Sequence, residues 1–140
     1  MAESALALRF MVVIDGFGSL GDWTKCDGIG VEYDVMEYQE GGENGFVHRL
    51  PGRAKYQNIK LTRPIDRYSL LVARWVATVE GSFQRQTAQI TVLDLAGDPV
   101  AWWNLIGAYP ARWTGPSLDV NGNQVATETL ELAHHGIRGG

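Results

Sequence analysis

Gly16-Phe17-Gly18-Ser19-Leu20-Gly21 spells a dinucleotide-binding signature and follows an alternating, strand-like run. That chemistry also needs a helix to open at the third glycine, so that its N-terminal N–H groups face a pyrophosphate. Asp22-Trp23-Thr24-Lys25-Cys26 carries no helical stripe and is cut short by Asp27-Gly28, so the glycines read as a turn. His48, His134 and His135 are metal-ligand types, but adjacent residues of a strand point to opposite faces and cannot share one ion undistorted. Asp94 and Asp98 could do paired-carboxylate work, yet they flank Ala96-Gly97 and read as turn residues. Ser4, Ser19, Ser69, Ser82 and Ser117 have no nucleophile-elbow context. No catalytic set, cofactor or metal is expected, and the chain is not expected to be an enzyme.

Charge is more informative. Glu32, Asp34, Glu37, Glu40 and Glu43 follow one another with no base among them. Arg49, Arg53, Lys55, Lys60, Arg63 and Arg67 follow, against Asp66 alone. Two arrangements account for this. The segments pair as a hairpin within one chain, where each cross-strand ion pair contributes little. Otherwise an acidic face of one copy meets a basic loop of the next, a head-to-tail contact that closes as a ring or runs on as a filament. Tryptophan offers another binding chemistry: Trp102 and Trp103 straddle a strand, one facing the core and one outward. With Trp113, they could serve a small-molecule or carbohydrate-binding barrel.

The elements that would hold these residues are mostly strands. Leu8, Phe10, Val12 and Ile14 alternate, and Asp15-Gly16 ends the run. Gly18 to Cys26 is a weaker strand. Ile29 to Glu40 is a long one, with Ile29, Val31, Tyr33 and Val35 on a dry face and Glu32 and Asp34 on a wet one. Gly41 to Lys55 reads as a glycine-rich loop, with a short edge strand near Phe46 to Leu50. Gln57 to Thr62 returns. Tyr68, Leu71, Val72, Trp75, Val76 and Val79 mark the buried stripe of one helix, between Pro64/Asp66 and Gly81. Arg85 to Leu95 and Val100 to Ile106 flank a turn, and Asn121-Gly122 joins Arg112 to Val120 with Gln124 to Ala133 as a hairpin. No β-α-β alternation appears, so a mainly β fold is expected: an antiparallel barrel or sandwich of two sheets with one flanking helix, as a single domain over 1–140.

Bulk properties narrow the classes. With 45% hydrophobic residues the composition is globular, and a net charge of −4 disfavours nucleic-acid binding. The single cysteine, Cys26, excludes an internal disulfide and reads as a buried structural thiol. Met1 to Ile14 has Glu3 and Arg9 but no basic leader, and no run of about 18 apolar residues occurs, so neither a signal peptide nor membrane insertion is expected.

One further pattern spans nearly the whole chain. Phe10 to Gly16, Glu40-Gly41-Gly42-Glu43-Asn44, Leu50-Pro51-Gly52 and Asn58-Ile59-Lys60-Leu61-Thr62-Arg63 come first, then Trp75, then Val92-Leu93-Asp94 with Gly97 and Pro99-Val100. Trp103-Asn104-Leu105, Ala108-Tyr109-Pro110 and Glu128-Thr129-Leu130-Glu131-Leu132 complete it. In this order they resemble the inner tube proteins of contractile phage tails, extracellular injection systems and type VI secretion tubes. Pro64 departs from the pattern, where glycine is expected after the arginine. The resemblance implies homohexameric rings stacked into a hollow tube, each copy adding a sheet to a β-lined channel for cargo protein or DNA. A sheath, a baseplate with spike and a cap are the implied partners. Assembly is expected in the cytoplasm, with possible release in a phage-tail-like particle or virion. By position, Gly41, Gly42, Glu43, Asn44, Arg49, Leu50, Pro51, Gly52, Arg53 and Lys55 match the inter-subunit loop, with Glu32, Asp34, Glu37 and Glu40 as its complementary acidic face.

Overall fold

The computed structural model describes residues 8–38, 48–122 and 125–139. In chain order its elements are β1 (Arg9–Ile14), β2 (Gly18–Trp23), β3 (Lys25–Asp27), β4 (Glu32–Tyr38), β5 (His48–Lys55) and β6 (Ile59–Pro64). After these come α1 (Ser69–Gly81), β7 (Gln86–Leu93), β8 (Pro99–Thr114), β9 (Thr127–Ala133) and β10 (Gly136–Gly139). Every described strand pair is antiparallel. An eight-stranded sheet runs β2-β1-β7-β8-β9-β6-β3, with β10 beside β8, while β4 and β5 form a two-stranded sheet of their own.

The large sheet folds over itself into two layers because β8 serves both. Its residues up to Ala108 pair with β7, and those from Tyr109 to Thr114 pair with β9, with a register shift between Pro110 and Arg112. The expected break between Ile106 and Arg112 is therefore absent, and one sixteen-residue strand passes through Gly107 and Pro110. Sequence punctuation misleads here because Gly107, at φ +63°, and the bulge bend the strand without ending it. The expected Asn121-Gly122 hairpin is also replaced: β8 stops at Thr114 and β9 starts at Thr127, so Asn121 and Gly122 turn within a longer connection.

Between the layers lie Val12, Ile14, Leu20, Trp23, Ile59, Leu61, Ala88, Ile90, Leu105, Leu130 and Leu132, all buried. Apart from Leu20 and Trp23 on the irregular β2, those that share a strand sit at alternate positions, as period-two strands require. The helix adds Val72 and Trp75 from its predicted stripe. Trp75 Nε1 donates to Gln86 Oε1 at 2.9 Å, and Gln86 Nε2 donates to the Asp15 carbonyl at 3.1 Å, fixing the helix against the β1–β2 turn. Cys26 packs against the core from β3, and its burial, with Asp27 next to it, pushes the thiol up to about 11. It stays protonated at neutral pH.

A closed barrel is not formed. β2 and β3 are one run of chain interrupted at Thr24, yet β2 pairs with β1 and β3 with β6, and among the described residues no ladder joins β2 to β6. Arg63 of β6 spans that seam. Its Nη1 donates to the carbonyls of Leu20 at 2.6 Å and Asp22 at 3.2 Å, and its guanidinium lies 3.9 Å from the Trp23 ring centroid. A β2 bulge, where Val12 faces Gly21 and Val13 faces Ser19, leaves Leu20 out of register. Gly21, at φ +85°, leaves room for the guanidinium, since a Cβ there would lie 2.8 Å from Nη1. Arg63 Nε pairs with Glu128 Oε2 of β9 at 2.9 Å, both side chains being almost fully buried. Glu128 also accepts from Trp113 Nε1 at 3.0 Å and from the Ser69 hydroxyl at the start of α1. A buried carboxylate and guanidinium are tolerable only when paired and hydrogen-bonded in this way.

Candidate assembly surfaces

β4 and β5 continue the β3–β6 ribbon away from the core. Asp27 faces Lys60 in the ribbon, and beyond residues 28–31 and 56–58 Glu32 faces Lys55. The expected loop at Gly41 to Lys55 is thus half strand: His48 to Lys55 is β5, and among the described residues it pairs only with β4. Gly41, Gly42, Glu43 and Asn44, with Glu40 of the acidic face, lie outside the described residues. The long alternating strand expected from Ile29 forms only from Glu32, because the chain leaves the β3–β6 ladder at Gly28, whose φ is +102°.

Within the hairpin the charge segregation becomes pairing. Lys55 Nζ lies 2.8 Å from Asp34 Oδ1, and Arg49 Nε lies 3.5 Å from Glu37 Oε1. The Asp34 bond and charge hold the Lys55 ammonium above its usual range. All four side chains remain well exposed, so these bonds orient the hairpin more than they stabilise it. Glu32 lies opposite Lys55 on the same face. Arg53 is exposed at the β5 bulge, where Gly52 and Arg53 together face Asp34. Gly52 fits because a Cβ would press within 3.0 Å of Asp34. Arg63, counted in sequence within the basic segment, is the buried seam residue.

The dry face is not dry in the single chain. Tyr33 and Val35 are 54% and 55% exposed, beside Ala54 and Pro51 on one face of the hairpin. On the other face Met36 lies against Leu50, and Tyr38 stacks on His48 with ring centroids 5.1 Å apart. Met36 is 58% and Leu50 47% exposed. Each face therefore joins a charged stretch to an apolar one, in opposite order from root to tip. A two-stranded ribbon is marginal in water by itself, and this one leaves apolar side chains uncovered on both faces. Alternation in sequence signals such a strand but not which surface covers it.

The remaining candidates do not converge. Trp103 shares the core side with Ile90 while Trp102 faces out, as strand alternation requires. Trp113 is half-buried and engaged by Glu128, so the three indoles build no common platform. Asp94 Oδ1 accepts from the N–H groups of Ala96 and Asp98, both at 2.9 Å, which is turn closure. The Gly16–Gly21 segment leads into β2, with no helix to face a phosphate. Among the described residues no three of His, Cys, Asp and Glu group as metal ligands, and no helix is long and apolar enough to cross a membrane.

Known proteins share this fold. The family described as "T4-like virus tail tube protein gp19" matches residues 6–138. The chain belongs to this tail tube family. Solved structures agree on the fold. A chain of the anti-feeding prophage cap superposes with TM-score 0.79 at 22% identity, covering 99% of this chain and 91% of that one. A chain of the sheath–tube complex of PVC, an extracellular contractile injection system, in its extended state gives 0.77 at 23%, covering 94% and 88%. Hcp1 from Flavobacterium johnsoniae gives 0.54 at 15%, covering 94% of each chain. Curated proteins yield no match. The tail tube protein is thus a structural tube subunit, and its family and fold are not those of enzymes.

Proposed function

We propose that this tail tube protein assembles as homohexameric rings stacked into a hollow conduit, and that the β4–β5 ribbon is the arm by which each copy grips its neighbours. The observation that carries this reading is the two-faced ribbon. Tyr33 and Val35 on one side and Met36 and Leu50 on the other are uncovered in one copy, so two surfaces are needed to bury them. An arm held between adjoining copies, within a ring and between rings, meets that need. Arg49, Leu50, Pro51, Gly52, Arg53 and Lys55 belong to this arm, with Gly41, Gly42, Glu43 and Asn44 leading into it. Glu32, Asp34 and Glu37 supply its acidic strand, with Asp34 and Glu37 already engaged inside the copy, and Glu40 is proposed as part of the same acidic face.

The similar chains come from sheath–tube, baseplate and cap structures of injection systems. On that likeness the proposed partners are a sheath outside the tube, a baseplate with spike at one end and a cap at the other. The lumen would carry cargo protein or DNA. Assembly would take place in the cytoplasm, before release in an extracellular phage-tail-like particle. Negative-stain microscopy of the purified protein over a concentration series tests the reading. Rings at low and tubes at high concentration are expected; monomeric particles throughout would overturn self-assembly.

A further inference from the structure

The ribbon is joined to the body by two segments that make no ladder. Residues 28–31 and 56–58 lie outside the strands, between the Asp27–Lys60 and Glu32–Lys55 pairs. Gly28 and Gly30 stand in the first, and a Cβ on Gly30 would meet open space. Ile29, between them, packs against the core. The second segment carries Tyr56, whose ring centroid lies 5.3 Å from that of His134 at the β9–β10 kink. A Cβ on Gly136 would lie 3.8 Å from the Tyr56 hydroxyl, so the phenol covers Gly136 as well. Tyr56 also lines an open hollow of about 530 Å³ at the ribbon root, with Gly30, Val31, Glu32, Lys55 and Gln57. Ile29 is thus placed as a pivot and Tyr56 as a clasp, and the hollow is room in which the root can turn.

His134 is a costly seat for that clasp. It is 9% exposed, and neither ring nitrogen has a partner at hydrogen-bond geometry. The groups around it are His135 on its own kink, Gly136 of β10, and Tyr56 and Gln57 of the ribbon root. Glu32 and Lys55 face the hollow, and among the described residues no carboxylate pairs with His134. An imidazolium here would be a buried charge with no counterion, which is far costlier than the same charge in water. We propose that Tyr56 seated on His134 is a proton-sensitive clasp: a neutral ring holds the ribbon at one angle, and protonation lifts Tyr56 away and frees the ribbon to swing about Ile29. Burial outweighs the backbone of Gly136 and Gln57 and, with the charge of His135 added, holds the imidazole below 6.5 while the clasp is shut. Opening hydrates the ring and returns it toward its ordinary value, so the open form takes up the proton first. The clasp is therefore fully shut above pH 6.5 and opens as pH falls through the shut-state value. A freed ribbon loses its grip on neighbours, so tubes should loosen in acid; that consequence alone rests on the proposed role of the ribbon.

Two nitroxide labels read the ribbon angle within one subunit. In a Cys26→Ser background they are carried by Arg53→Cys on the ribbon and Arg74→Cys on α1, both exposed positions. Tyr33→Ser and Val35→Ser are added so that no neighbour holds the ribbon. Dipolar electron resonance is expected to give a narrow distance distribution at about pH 7.5 and a broad one at about pH 5, on either side of ordinary histidine titration. With His134→Phe, or with His134→Gln where the first does not fold, the distribution is expected to stay narrow at both. With Tyr56→Ala it is expected to be broad at both, and circular dichroism checks that each variant is folded. A distribution that acid leaves unchanged, a His134 variant that broadens as its parent does, or a narrow Tyr56→Ala distribution at neutral pH overturns the clasp. For tubes, acid is expected to shorten those of the wild type and to spare those of His134→Phe. Wild-type tubes that persist in acid while the labelled subunit opens overturn the link to assembly and leave the clasp standing. Protein that never forms tubes overturns the assembly reading, and the labelled subunit still decides the clasp.

Discussion

Arg63–Glu128 and Lys55–Asp34 are both cross-strand ion pairs of this tail tube protein, at 2.9 Å and 2.8 Å, and they do opposite things. The first lies in the body, almost wholly out of water, and joins β2, β6, β9, β8 and the start of α1 through carbonyl, indole and hydroxyl partners. The second lies on a ribbon that touches little but itself, with water around both charges. Geometry alone would rank them equal; environment separates them. Water competes for the ribbon pair and makes it exchangeable for contacts with another chain. In the body nothing competes, so losing either partner strands the other. The body is built to hold one shape, and the proposed role of the ribbon is to be finished by a neighbour.

The largest expected effect falls on the body. Arg63→Leu leaves Glu128 buried without its cation and should destabilise the subunit by about 3–5 kcal/mol, read from urea unfolding. A Glu128→Leu change added to it should recover part of that loss, as removing both charges removes the stranded one. If Arg63→Leu were silent, the seam would not depend on the ion pair.

Next in size is a pH effect at the β9–β10 kink. His134 is buried there, its ring 5.3 Å from that of Tyr56. Burial, with the charge of His135 adding to it, outweighs backbone bonding and holds its imidazole below the ordinary 6.5. A folded-state value below the unfolded one means that the unfolded chain takes up the proton first. The neutral ring's contribution is thus complete above pH 6.5 and lost as pH falls through the folded-state value. Urea midpoints measured across about pH 7 to 5 should fall more steeply for the wild type than for His134→Phe. Equal slopes would mean that the kink does not oppose charging.

On the ribbon the effects on folding should be small. Arg49→Ala should cost the single subunit less than about 1 kcal/mol, because its partner Glu37 is exposed. Tyr33→Ser with Val35→Ser should move subunit stability by no more than roughly 0.5 kcal/mol per site. The same pair should abolish tubes, seen by microscopy. A large loss of subunit stability from these two would show that the ribbon packs on its own body.

Body elements were the more legible in sequence, for a physical reason. Alternation in β1 and the Val72/Trp75 stripe of α1 record burial that the chain completes by itself. β4 carries alternation just as clean, but its apolar residues stay exposed in the single chain, so the pattern located a strand without locating its core. The acid and base blocks showed that the two segments are complementary. They did not show that Asp34 and Glu37 meet Lys55 and Arg49 in the same chain. Arg63 was hidden differently: in sequence it is one base among six, and only the β2 bulge at Leu20 with Gly21 reveals why it turns inward. β8 defied its own punctuation because glycine and proline can bend a strand where it changes layer.

Replacing residues 32–55 with a short glycine–serine linker tests the division between body and ribbon most directly. β3 and β6 are already paired at Asp27 and Lys60, so the linker spans strands that lie side by side. Sedimentation, thermal melting and negative-stain microscopy of this protein beside the wild type would read both regions at once. A folded subunit with a nearly unchanged melting transition that builds no tubes is the expected result. An unfolded chain, or tubes of normal length, would contradict it.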